Sequence, residues 1–166
     1  MVRVEHTNGG DHMGELIKKE FELLRTRLYP RVEEIAENVF DIQPEGFNNT
    51  IHWHIGHILT VTEGFLFAEN GQLPAEYQEL FAPRTKPSDW KGEVPSIATL
   101  VQQLKEQHER INEIPNETFN EKLPEAKFGC STVGELAGFT FYHETYHFGQ
   151  IHAMKRLIET SLVKTK

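Results

Sequence analysis

The chain has 166 residues, a formal net charge of −8 and one cysteine among nine histidines. This length suits one domain with its own core, and an acidic surface with no basic patch argues against nucleic acid or anionic membranes as partners. One cysteine excludes an intrachain disulfide, no apolar run approaches the roughly 20 residues of a membrane span, and no secretory pattern opens the chain, so a cytoplasmic protein is expected.

Residues 1–10, polar and ending in Gly-Gly, read as a flexible arm, with a single domain over 11–166. Asp11 is placed to cap a first helix reaching about Phe40, with Leu16, Phe21, Leu24, Leu28, Val32, Ile35 and Val39 on its apolar stripe. Pro30 falls inside that pattern and predicts a kink or break. A turn around Pro44 leads to a second helix from about Asn48 to Glu69, which Asn70-Gly71 is placed to end. One face of it carries Trp53, His57, Thr60, Val61 and Gly64.

A long connection follows over 71–95, punctuated by four prolines, with a short helix expected in AEYQELFA. Connections of this length often form lids or binding loops, and Tyr77, Phe81 and Trp90 are placed to close over a substrate. The third helix runs from Ser96 to Ile114 on a stripe of Ile97, Leu100, Leu104, His108 and Ile111. Residues 115–130 read as irregular. Thr132 and Glu135 then form a capping box for a fourth helix to about Glu159. Its inner stripe is read as Leu136, Thr140, His143, His147, Ile151 and Met154. No stretch alternates long enough to predict a strand, so the expected fold is all-α, an antiparallel four-helix bundle with long connections between helices 2 and 3 and helices 3 and 4.

Histidines carry the chemistry. His143 and His147, at i and i+4, project from one helical face and can reach one ion. With nine histidines such a pair arises by chance in roughly every second chain of this size, so spacing alone is weak evidence. Its position on the inner face adds weight, because buried imidazoles need partners. His57, on an apolar face of the second helix, supplies a third nitrogen. His54 competes for that place but sits roughly 60° off the face. Three histidines with one open position are the donor set of a catalytic metal, and neutral imidazole suits zinc, nickel or iron without choosing between them. His52, His108 and His152 read as surface or partly buried residues, and His6 and His12 belong to the arm.

HETYH also fits the zinc-protease pattern, with Glu144 as a candidate catalytic base. The extended pattern fails at Gln150 and Ala153, and periodicity turns Glu144 sideways, as a rim carboxylate or a partner of the ligands. Di-iron chemistry lacks its Glu-x-x-His ligands. Cys130 lies roughly 20 Å along the helix from His143, too far for a Cys–His pair. Trp53, Phe139, Tyr142 and Tyr146 are expected to pack around the site.

GFNNTIHWHIGHI, followed by STVGELAGFTFYHETYHFGQIHAMKRL, resembles the DinB/YfiT-like superfamily of metal-binding four-helix bundles, over about residues 13–160. The resemblance places the family's second-helix histidine on His57 and its His-x-x-x-His pair on His143 and His147. It implies a divalent metal, zinc or nickel, and a homodimer. It also implies a metal-dependent enzyme acting on a small-molecule substrate, such as a thiol S-transferase using a low-molecular-weight thiol. The alternatives are a metal-dependent hydrolase and a non-catalytic, stress-related metal-binding bundle.

Overall fold

The computed structural model describes residues 9–164. The expected arm therefore lies mostly outside the described residues. The protein is mainly helical, with α1 at Gly9–Glu33, α2 at Ile51–Leu66, a short α3 at Tyr77–Phe81, α4 at Ile97–Glu113 and α5 at Val133–Lys164.

Helix α1 already includes Gly9, so Asp11 lies inside it rather than at its cap. Pro30 does not break the helix; α1 continues to Glu33, three residues on. A proline removes only its own N–H, and the next turn is the last. A separate 3-10 turn at Glu37–Val39 replaces the expected continuation to Phe40. The buried stripe runs through Ile17, not Leu16, which is 48% exposed.

Thr50 caps α2 by accepting the Trp53 amide proton, and the helix ends at Phe67, before the expected Asn70-Gly71 cap. Residues 51–63 of α2 are buried on every side. Ser96 caps α4 and the expected α3 forms inside AEYQELFA. The capping box of α5 is present: the Thr132 hydroxyl accepts from the Glu135 amide at 3.2 Å, and the Glu135 carboxylate accepts from the Thr132 amide at 3.1 Å.

One expectation fails outright. Residues 115–130 are not simply irregular, because β1 (Lys122–Lys127) and β2 (Cys130–Thr132) form an antiparallel hairpin. Phe128 and Gly129 turn it with φ of 52° and 81°, the left-handed pair that a two-residue hairpin loop requires. A phenylalanine at positive φ is uncommon. Its ring is held by stacking on Phe139, 4.9 Å between centroids.

Helix α2 packs on α4 and α5, and α1 packs on the same two helices. Two core clusters set the directions. One joins Ile17 and Phe21 of α1 with Ile111 of α4 and Ala137 of α5, and Leu66 of α2 packs against it. The other joins Leu28 and Val32 with Ile51 and Ile55, Leu100 and Leu104, and Met154 and Ile158. Helices α1 and α5 therefore run one way, α2 and α4 the other. This corrects the all-antiparallel arrangement: α2 and α4 are parallel neighbours, so the chain between them must travel back along the helices. That return path is the long connection after α2, and it passes the candidate site.

Candidate metal centre

Seven residues per two turns set the buried line of α5. Ala137, Thr140, Glu144, His147, Ile151, Met154 and Ile158 are all buried, an alternation of three and four that keeps one seam facing the core. His147 lies on that seam and His143 on its half-buried edge. His57 and His54 are both buried on α2.

These elements bring together the three expected histidines. His57, His143 and His147 each offer a ring nitrogen, all within 4.8 Å of one another. The Nε2 atoms of His57 and His147 each lie 3.1 Å from Nε2 of His143. Nitrogens on one ion at about 2.0–2.1 Å are separated by about 2.9–3.4 Å for angles from square to tetrahedral, so the spacing suits a shared cation.

The tautomers agree. His57 Nδ1 lies 2.6 Å from the Phe81 carbonyl oxygen. A carbonyl only accepts, so Nδ1 carries the proton and Nε2 presents a lone pair to the centre. His147 Nδ1 lies 2.8 Å from His54 Nδ1, where one ring must donate and the other accept. With the proton on His147 Nδ1, its Nε2 is also free to coordinate. His143 Nδ1 is buried with no partner among the described residues, so nothing competes to turn its Nε2 away. With the protons on Nδ1 of His143 and His147 as on His57, three lone pairs would face one another and a cation would satisfy all of them.

Burial keeps the cluster uncharged. It lowers the His57 pKa to about 4, against the Phe81 hydrogen bond and with help from His143. Burial and His57 lower His54 to about 4. Burial, then His57, His143 and His54, lower His147 to about 2, and burial lowers His143 as well. Neutral imidazoles are the form that binds metal.

Trp53 stacks on His57 at 4.3 Å and holds its indole N–H on the Thr85 hydroxyl at 2.8 Å. Tyr146 meets His147 edge-on at 5.3 Å. Phe139 and Tyr142, expected around the site, pair with each other, and Phe139 stacks on Phe128. The 71–95 connection is not an open lid. Tyr77 and Phe81 are buried in the core, and Trp90 donates to the Leu80 carbonyl. Of the other histidines, His52 is buried, bridging Asp41 and the Pro95 carbonyl. His108 is half-buried and His12 and His152 are exposed, while His6 lies outside the described residues.

Glu144 corrects the rim assignment. It is 1% exposed, and its Oε1 accepts from Arg25 Nη2 and Thr62 Oγ1 at 2.6 Å each, its Oε2 from Arg25 Nε at 3.0 Å. Arg25, fully buried, also donates to the Leu104 carbonyl and to Gln107. Burial alone would lower the arginine pKa; the Glu144 charge and hydrogen bond outweigh it and hold it above its ordinary value. Sequence reading missed Arg25 because a charge four residues after Phe21 was not admitted to the stripe. The available signal was the seam itself, which runs through Glu144 and demands a cation opposite.

The model of a family described as the DinB superfamily matches residues 20–151 of the chain. No curated protein matches it.

Proposed function

Because the chain belongs to the DinB superfamily, we propose that it is a metal-dependent enzyme built on a four-helix bundle, a thiol S-transferase whose single divalent ion is held by His57, His143 and His147. The convergence of three Nε2 atoms, one of them locked as an acceptor by the Phe81 carbonyl, carries this reading. Zinc or nickel held there would lower the pKa of a low-molecular-weight thiol at the open position, so that sulfur bonds to an electrophilic carbon, the leaving group departs with its electron pair and the thiol proton passes to solvent.

The chain's own residues supply orientation. Phe81 and His54 fix the rings of His57 and His147 from behind. Trp53 covers one face of His57 and keeps water from it. Helices α2 and α5 pack on each other and hold the ligands from both sides.

A hydrolase of the zinc-protease kind would need a free carboxylate to activate water. Both oxygens of Glu144 are engaged by Arg25 and Thr62, so Glu144 is not free to act as that base. The same reading includes a cytoplasmic homodimer, which sedimentation of the purified protein tests.

Protein purified without added metal should hold one divalent ion per chain, and His57→Ala, His143→Ala and His147→Ala should each lose it. In the cobalt form, a thiol substrate should add an intense near-UV sulfur-to-cobalt band and be conjugated to monochlorobimane. Equal metal content in wild type and His147→Ala would refute the site. Metal without conjugation of any thiol among bacillithiol, mycothiol, glutathione, coenzyme A and cysteine would refute the transferase and favour the non-catalytic bundle.

A further inference from the structure

Next to His143, α5 and the hairpin carry a run of touching aromatic rings. Phe128 stacks on Phe139 at 4.9 Å, with 7° between the ring planes. Both meet Phe65 of α2, at 5.4 and 6.2 Å, and Tyr142 extends the run from Phe139 at 6.3 Å. None of these four rings belongs to either core cluster. Phe128 stands at the tip of the hairpin with a φ of 52°, where glycine would sit at less cost. A strained turn that presents an exposed phenylalanine points to a use for the ring.

The run ends at the candidate centre. Phe139 and Tyr146 lie at i−4 and i+3 from His143, so their side chains are its neighbours on the α5 surface. Of the three histidines, His57 and His147 are buried and His143 is half-buried. A molecule coming from solvent therefore reaches the centre past His143 and these rings. Tyr146 bounds the approach on the other side, edge-on to His147 at 5.3 Å.

The exposed area decides between a small molecule and a second copy of the chain. Phe128, Tyr142 and Tyr146 are 65%, 64% and 55% exposed, which leaves roughly 400 Å² open for side chains of about 200 Å² each. A stable dimer takes about 800 Å² from each copy. The strip is too small to hold a second copy by itself and large enough to cover one or two rings.

We infer that the strip of Phe65, Phe128, Phe139 and Tyr142 is the binding platform for a planar aromatic molecule, the electrophilic second substrate of the metal centre. The nearly parallel Phe128 and Phe139 rings set the plane, and an aromatic guest continues their stack. Phe139 precedes His143 by one turn, about 6 Å of helix rise, so a guest lying on Phe139 and Tyr142 extends toward the open coordination position. There its electrophilic carbon bonds to the thiol sulfur, its leaving group departs with the bonding pair and the thiol proton passes to solvent. The second-substrate role rests on the metal reading above; the binding itself does not.

The metal-free full chain is titrated with 2-naphthalenemethanol, and with its saturated counterpart decahydro-2-naphthalenemethanol, while backbone amide shifts are followed by NMR. The aromatic alcohol should shift Phe128, Phe139 and Tyr142 saturably, and the saturated one should bind at least threefold more weakly. Phe128→Gly keeps the turn, because glycine adopts positive φ freely. It and Tyr142→Ala should each weaken the aromatic alcohol by roughly three- to tenfold, with far-UV helicity unchanged, and Phe128→Trp should retain it. In the cobalt-loaded chain the probe's protons should broaden by paramagnetic relaxation, and His57→Ala should remove the broadening but not the binding. Phe128→Gly should also raise KM for monochlorobimane, a planar bicycle, and leave KM for iodoacetamide, which has no ring, unchanged. No saturable shift, or unaltered binding in both Phe128→Gly and Tyr142→Ala, overturns the platform. Equal binding of the saturated alcohol overturns the planar aromatic class. A dimer that Phe128→Gly or Tyr142→Ala converts to monomer in sedimentation makes the strip an interface between copies and overturns the proposal. Binding without broadening in a cobalt-loaded chain overturns the second-substrate role, whereas failure to load cobalt refutes the metal reading and leaves the platform standing.

Discussion

His57 donates its Nδ1 proton to the carbonyl oxygen of Phe81 across 2.6 Å, so the connection after α2 sets the tautomer of a candidate ligand that α2 carries. The Phe81 ring holds that carbonyl in place by packing on bare backbone at Gly56, where a Cβ would collide with it. Gly56→Ala should therefore weaken metal binding although neither residue touches the ion. It should also destabilise the fold by about 1–3 kcal/mol through overpacking, more than the roughly 1 kcal/mol that alanine gains over glycine in a helix. Chelator competition and urea unfolding measure the two effects, and a stabilised variant with unchanged affinity would contradict the account.

His54 should act through His147 rather than as a ligand. His54→Ala should retain one ion per chain but weaken it by roughly 10–100-fold, the range for losing an outer hydrogen-bond partner. His147→Ala should lose the ion altogether. Competition with a chromogenic chelator separates these; complete loss of the ion in His54→Ala would make it a ligand.

Glu144 should matter to folding first. Glu144→Gln leaves buried Arg25 without its counter-charge and should cost about 3–5 kcal/mol, seen as a lower urea midpoint. The double variant Arg25→Met with Glu144→Leu should recover most of that loss. A Glu144→Gln protein of wild-type stability that loses activity would instead reveal a catalytic carboxylate.

Acid should destabilise the metal-free protein. An unfolded histidine titrates near 6.5, whereas folded His54 and His57 are held at about 4 and His147 at about 2. Below pH 6.5 the unfolded chain therefore binds more protons, so stability falls as pH falls from about 6.5 through 4, by up to about 1.4 kcal/mol per pH unit for each such histidine. Above pH 7 these groups add no pH dependence. Urea midpoints across pH 4–8 in the presence of chelator test the sign. For the same reason, calorimetry in buffers of different ionisation enthalpy should find almost no proton release when metal binds at pH 7.

Removing the metal should leave the helices. Both core clusters are apolar and close on α1, α2, α4 and α5 without the histidines, unlike a zinc finger that folds only around its ion. Far-UV circular dichroism should change little on chelation, and a cooperative collapse would mean that the site holds the fold together.

Local sequence alone determined the four long helices, their Ser96 and Thr132 caps, the short helix at Tyr77–Phe81 and the three histidines, because caps and apolar spacing act within a few residues. The hairpin at 122–132 was not legible, since its turn is Phe128-Gly129 rather than an asparagine-glycine pair and KLPEAK does not alternate. Tertiary structure decided the rest. The parallel pairing of α2 with α4 depends on which faces bury together across the molecule, and it turned an apparent lid into a packed wall that orients His57. Glu144 reads as a surface carboxylate until Arg25 arrives from α1, 119 positions away; only a fully buried opposite charge lets a carboxylate occupy the seam. His54 differs from His57 in the sequence by an angle on a helix, and the folded chain separates them by what each meets, a second imidazole for His54 and a carbonyl for His57.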